Sequence, residues 1–276
     1  MGSHANEIST ISVRTVSSPG RPSLDMHCHV VQAGSVPEGD RPSVLSVTFT
    51  PAEWLAHGRE AAAGSVVWAL GLHPWEIQDE ADLDLFLAHL PQCEAVGEIG
   101  VDRSHFPKLS VERQRPILET ILGHEETRKR IVSLHAWQAH PELVSILENR
   151  RPPGSVIHWF MGTGDTLRRA VDLDVFFSVN DAMLMIPEGV EVVGAMPRDR
   201  VLTETDAPSI EHGTGRSLDV GETRGRPLRP GELDATERKL AEIWGVDQAE
   251  VRSQLWRNLA QLESRVERRP FSTGFS

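Results

Sequence analysis

Eight short β-rich runs alternate with helix-sized amphipathic stretches along most of this chain, and that alternation constrains the fold more than any other feature. The runs read at 23–28, Val44–Thr50, Ser65–Leu72, Ala95–Val101, Arg130–His135, Ser155–Phe160, Val175–Val179 and Arg200–Thr205. Segments such as VVWALGL and VIHWF are nearly continuous in apolar residues, which suits strands covered on both faces. Helical spacing fills 51–63, 81–90, 110–129, 140–149, 163–172 and 188–196, with Pro51, Asp82 and Pro141 as helix starts. Eight strands with intervening helices in 276 residues predict an α/β fold, a single-domain (β/α)8 TIM-like barrel. The first crossover departs from the pattern, because residues 31–43 hold Gly, Pro and charge instead of an apolar period. A doubly wound open sheet is the alternative.

The ends of the chain lack such patterning. Residues 1–22 carry Ser, Thr, Gly and Pro and read as a flexible N-terminal extension, 23–264 as the barrel, and 265–276 as a C-terminal tail. The leading Met-Gly-Ser-His has the form of a vector scar, so His4 stays outside the site argument. No apolar run approaches the ~20 residues of a membrane span and no signal peptide is visible, so membrane partners are not expected. Two cysteines, Cys28 and Cys93, cannot build a disulfide framework, which makes the cytoplasm the expected compartment. With 28 Lys+Arg against 40 Asp+Glu the formal charge is −12, which argues against a broadly basic nucleic-acid surface. It leaves open a nucleic-acid enzyme whose positive charge is a bound metal cluster.

Polar residues punctuate the strand ends. In Asp25-Met26-His27-Cys28-His29, strand alternation puts His27 and His29 on one side and turns Met26 and Cys28 away. Glu98 closes the fourth run between Gly97 and Gly100, which leave room near the backbone. His135 and His158 each end a hydrophobic strand, and Glu204 and Asp206 end the eighth, two apart. In a barrel these positions converge on the mouth formed by the carboxyl ends of the strands. So many ionisable groups brought together would be costly to bury without a cation, and they read as a metal site, binuclear by the number of donors.

The ordered set Asp-x-His-x-His at 25–29, Gly-Leu-His-Pro at 71–74, Gly-Glu-Ile-Gly-Val-Asp at 97–102, Leu-His at 134–135, Ile-His-Trp-Phe-x-Gly at 157–162 and Glu-Thr-Asp-Ala-Pro at 204–208 resembles the TatD family of metal-dependent nucleases, within the amidohydrolase superfamily. Asn258 in Trp-Arg-Asn-Leu is similar to the family's C-terminal Asn. The run from Met196 to Asp206, together with Phe177-Ser178-Val179-Asn180, looks closest to the QatD-like branch found in Qat anti-phage systems. The resemblance implies one metal on His27, His29 and Asp206, a second on His135 and His158, and Glu98 bridging them. The two divalent ions would be Mg, Mn or Zn. It implies a catalytic set of Asp206 as proton acceptor, Glu98, and Glu204 as an auxiliary base or supporting carboxylate. The implied reaction is hydrolysis of phosphodiester bonds in single-stranded DNA or RNA from the 3′ end, with proteins of an anti-phage system as partners.

Departures from the family pattern shape the expected substrate contacts. His73 and Trp75 stand at the loop after the third run, with Trp75 where many members carry a second His. Arg226 and Arg229, in an Arg-rich segment, are the phosphate-binding candidates, because guanidinium grips phosphate bidentately. Of Trp75, Trp137 and Trp159, Trp75 is the better placed to stack on a base, and Trp159 is expected to pack between barrel and helices. Two other readings stand beside the nuclease: a small-molecule amidohydrolase or phosphoesterase on the same metals, and a catalytically silent subunit of a defence complex.

Overall fold

In the computed structural model eight parallel strands pair in sequential order from β1 to β8. They are β1 (Leu24–Cys28), β2 (Ser43–Val47), β3 (Val66–Leu72), β4 (Ala95–Asp102), β5 (Ile131–Trp137), β6 (Gly154–His158), β7 (Phe176–Val179) and β8 (Val201–Thr203). The described residues are 21–33, 43–58, 66–162, 164–208, 210–211, 216–217 and 228–271. A doubly wound sheet would reverse its strand order partway, so the unbroken order selects the barrel. The seam between β8 and β1 closes through hydrogen bonds from Thr203 Oγ1 to Leu24 O (2.5 Å), Asp206 N to His27 O (2.9 Å) and His29 N to Ala207 O (2.7 Å). Asp25 fastens the same seam by accepting from Thr205 N (2.9 Å), Thr205 Oγ1 (2.7 Å) and Gly231 N (2.7 Å).

The helices fill the crossovers: α1 (Val30–Ala33), α2 (Pro51–His57), α3 (Glu80–His89), α4 (Val111–Gly123), α5 (Glu125–Arg128), α6 (His140–Arg150), α7 (Asp165–Asp172), α8 (Asp181–Leu184) and α9 (Pro187–Ala195). Local signals start and stop them. Thr50 caps α2 by accepting from Glu53 N at 3.1 Å, and Asp79 with Asp82 forms a capping box at α3. Among its described residues the weak first crossover holds α1, and residues 34–42 lie outside the described chain. Two helices continue beyond the stretches read from the sequence, α10 (Asp234–Trp244) and α11 (Gln248–Glu263), separated by Gly245 in a left-handed conformation (φ 66°).

Two apolar layers result. One lies between strands and helices, where Val96, Ile99, Leu134 and Ile157 meet Leu118, Leu143 and Leu147. The other draws residues from all eight strands, among them Leu24, Leu45, Val67, Ala95, Ile131, Val156, Phe176 and Leu202, and adds Trp256, Leu259 and Leu262 of α11. That second cluster is the barrel interior with α11 as its plug. Val266 and Phe271 belong to it, at 5% and 6% exposure, which corrects the expectation of a free tail from 265: residues 265–271 pack against the barrel. Residues 1–20 and 272–276 lie outside the described chain.

One expectation about β1 also fails. Met26 packs with Leu24 inside the barrel instead of facing away. A register shift between Asp25 and Cys28 breaks the alternation, so that His27 and His29 still reach the mouth although Met26 occupies the interior below them.

Candidate metal centre

His27, His29, Glu98, His135, His158 and Asp206, read from five strand ends, meet at one end of the barrel. Glu98 is the hub. Its Oε2 lies 3.7 Å from both His27 Nε2 and His29 Nε2, and its Oε1 lies 2.8 Å from His135 Nδ1 and 3.1 Å from His158 Nε2. Asp206 Oδ1 stands 3.2 Å from His29 Nε2 and 3.7 Å from His27 Nε2. Close strand approach makes this convergence possible. A Cβ on Gly97 would sit 2.7 Å from Ser133 Cβ, and one on Gly100 would sit 2.0 Å from His135 O. Asp206 itself has a left-handed backbone (φ 50°), a strained conformation for Asp that turns its carboxylate back over the mouth.

Supporting contacts hold the rings. His27 Nδ1 lies 2.7 Å from Ser133 Oγ, and its ring stacks on His158 at 3.9 Å between centroids. His29 stacks on Phe49 at 4.5 Å. His135 Nε2 faces Asp102 Oδ2 at 3.0 Å, and Trp75 Nε1 donates to the same oxygen at 2.8 Å. Glu204 is fully buried, accepts from Ser178 Oγ and from Asn180 Nδ2 (2.8 Å), and faces His158 Nδ1 at 3.7 Å. It does not line the cleft, and with His27 and His158 it forms a further group of buried donors, so its placement suits support of the centre over contact with a water.

Electrostatics bind the set together. Burial alone would raise the Glu98 carboxyl, yet the charges of His73 and His27 and hydrogen bonds from His135 and His158 hold it well below the usual carboxylate range. Burial opposes charge on His29, but Asp206 and Glu98 raise it above the ordinary imidazole value. Burial likewise opposes charge on His158, where Glu204 and Glu98 prevail and raise it well above that value. Burial pushes His27 down, and takes His73 down to about 4.

The cage suits a cation. His27 Nε2 and Glu98 Oε2 are both buried without any hydrogen-bond partner, although they face each other at 3.7 Å. Metal–ligand bonds of about 2 Å separate the ligand atoms of one ion by roughly 3–3.5 Å, close to the 3.7 Å from Glu98 Oε2 to His27 and His29, which is too wide for a hydrogen bond. Two triads of compatible donors share Glu98: His27 with His29, and His73 with His135. The second brings forward His73, assigned above to substrate. Its Nδ1 accepts from Trp75 N at 3.2 Å, so in the neutral ring the proton sits on Nε2, which lies 3.4 Å from Glu98 Oε1. That tautomer makes His73 a hydrogen-bond donor to the centre in preference to a ligand.

The centre floors a cleft of about 1220 Å³. Trp75 and Trp159 line it, and Trp159 also packs against the barrel–helix layer. Arg229 is exposed and lies outside the cleft lining, its amide bonded to Glu232 at 3.0 Å, while Arg226 falls outside the described residues. Asp102 and His140 were not singled out from the sequence. Asp102 carried a signal, since it ends the same strand as Glu98 at an even spacing. His140 is buried and accepts from Met161 N at 3.1 Å, and burial takes it down to about 4.

The comparisons with known proteins agree with this geometry. A TatD homologue from Escherichia coli of known structure superposes with a TM-score of 0.72 at 23% identity, covering 87% of this chain and 97% of that one, which shows the shared fold. An uncharacterized metal-dependent hydrolase of Haemophilus influenzae is 26% identical over 214 residues, 72% of this chain and 78% of its own length. A 3′-5′ ssDNA/RNA exonuclease TatD of Edwardsiella piscicida is 30% identical over 154 residues, 52% of this chain and 58% of the relative. The chain spans about half the length of several curated relatives that it matches. The signature described as TatD related DNase matches residues 24–264, and with the cage of His and carboxylate groups at the barrel mouth it places this chain in the TatD family.

Proposed function

We propose that the chain is a metal-dependent phosphodiesterase that shortens single-stranded DNA or RNA from the 3′ end. The observation that carries this reading is the Glu98 hub, whose two oxygens face separate pairs of histidines at the floor of an open cleft. His27, His29, Asp206 and Glu98 would hold one divalent ion, and Glu98, His135 and His158 a second. Divalent ions held there would supply charge to neutralise phosphoryl oxygens and to acidify a water.

The chain's own groups divide the remaining work. Asp206 has a partly exposed carboxylate at the cleft floor (19%), and hydrogen bonding to His29 keeps it ionised and ready to take a proton from the attacking water. His73 stays neutral near pH 7 and directs its Nε2 proton toward the centre, where it can donate to a phosphoryl oxygen. Asp102 fixes His135 and Ser133 fixes His27, while Glu204 places a buried carboxylate 3.7 Å from His158 Nδ1, so the donors are pre-aimed before substrate arrives.

The test is cleavage of an end-labelled single-stranded oligonucleotide with added Mn or Mg. The reading expects stepwise loss from the 3′ end, abolished by chelator and by Glu98→Gln. Turnover of ester, lactone or amide substrates with the oligonucleotide intact would favour the small-molecule hydrolase. The likeness to the QatD branch supports a cytoplasmic place in anti-phage defence. A phage challenge comparing wild type with Glu98→Gln tests that place and separates enzyme from silent subunit. Among the described residues no helix is long and apolar enough to cross a membrane.

A further inference from the structure

Trp137 ends β5, two residues beyond His135, and its indole is 48% exposed. It lines the same cleft as Glu98 and Asp206, together with Phe106 at 37% exposure. Its mount is rigid. Trp137 pairs in register with Asp102 of β4, and its carbonyl accepts from Arg103 N at 3.0 Å. Trp75, the residue that the sequence favours for stacking, is placed differently. Its Nε1 is held by Asp102 and its ring lies edge-on to His73 at 4.4 Å and 5.0 Å from Phe106, so it forms the wall behind the contact surface.

The charge of the cleft narrows the choice of occupant. Among the described residues Arg103 is the one Lys or Arg that lines it, and its guanidinium is paired with Glu142. The described walls therefore offer flat apolar faces and little uncommitted positive charge. Such walls recognise the faces of unpaired bases better than they recognise phosphates.

Resting on the phosphodiesterase reading, we propose that Trp137 and Phe106 form the subsite for an unpaired nucleobase next to the scissile phosphate. The strand is then selected by an accessible base face. A duplex withholds that face in its own stack, which makes the subsite a source of preference for single strands.

The experiment compares wild type, Trp137→Ala and Trp137→Phe on an end-labelled oligonucleotide and on the same strand with abasic sites at its 3′ end, in Mn. For the base-bearing strand Trp137→Ala is expected to raise KM roughly tenfold, within what stacking contributes per base, and to leave kcat within about twofold. Trp137→Phe recovers most of that loss. The abasic strand is already poor for wild type and Trp137→Ala does not worsen it. The slope of log KM against log salt between about 50 and 200 mM stays that of wild type, since no phosphate contact is lost. Equal losses on both strands, no loss on either, or a shallower salt slope would overturn the assignment. Absence of any cleavage by wild type would instead sink the phosphodiesterase reading, and this subsite with it.

Discussion

At the scale of single residues, Asp102 shows how much of this centre depends on groups that stand behind the donors. One carboxylate oxygen serves both His135 Nε2 (3.0 Å) and Trp75 Nε1 (2.8 Å). Asp102→Ala is predicted to weaken metal binding roughly 10–100-fold, as loss of a partner behind a metal-bound histidine does. Titration of the metal-stripped protein with Mn or Zn measures this, and Trp75→Phe, which removes the indole N–H together with its five-membered ring, should leave affinity within a few-fold. His27, His29, Glu98, His135, His158 and Asp206 were legible because each closes an apolar run, and a barrel has one place to send such side chains. Asp102 was quoted within a motif but given no role. Its role depends on which neighbour meets its oxygen, and strand register across β4 and β5 decides that. The proposed stacking role falls to Trp137 in place of Trp75 for a similar reason, since a hydrogen bond to Asp102 commits the Trp75 indole while Trp137 is exposed.

Elements carry the next set of consequences. Asn258 on α11 donates to Arg198 O (2.7 Å) and Val201 O (2.6 Å), tying the plug helix to the start of β8. Asn258→Ala leaves these carbonyls unsatisfied near the core and should cost about 1–3 kcal/mol, measured by urea unfolding. Asp174, after α7, clamps Arg200 at 2.6 Å and Arg265 at 3.0 Å. Burial pushes the Asp174 carboxyl up, but hydrogen bonds from Arg200 and Arg265 outweigh it and hold it below the usual value. A carboxyl lowered in the folded state stabilises above its unfolded pKa and loses that contribution as pH falls through the folded one. Asp174→Asn should therefore lower Tm at pH 7, with the gap to wild type closing as pH falls below 3.8 and through the lowered folded value. The carboxylate is half-exposed, so the effect should stay below about 1 kcal/mol. All eight strands were readable, since continuous apolar runs have few other uses. The phase break in β1 was not, because a register shift leaves no mark in a five-residue pattern. Helices α10 and α11 escaped because the strand–helix alternation that guided the reading ends at β8.

For the whole molecule, barrel closure is what turns scattered sequence motifs into one centre. Leu24 and Thr203 lie 179 positions apart and share a hydrogen bond, and around that seam Asp206 comes beside His29. Packing of residues 265–271 under the barrel belongs to the same closure, since Val266 and Phe271 complete the plug that α11 begins. Two hydrophobic residues in a charged terminal stretch are too few to announce a core by sequence, and only the finished interior supplies their partners. The central claim, that Glu98 joins two cation sites at this mouth, is tested most directly by anomalous diffraction from crystals soaked in Mn. The account predicts two peaks flanking the Glu98 carboxylate, one toward His27, His29 and Asp206, the other toward His135 and His158, and neither in Glu98→Gln. Mn bound away from Glu98, or peaks undiminished in Glu98→Gln, would contradict it.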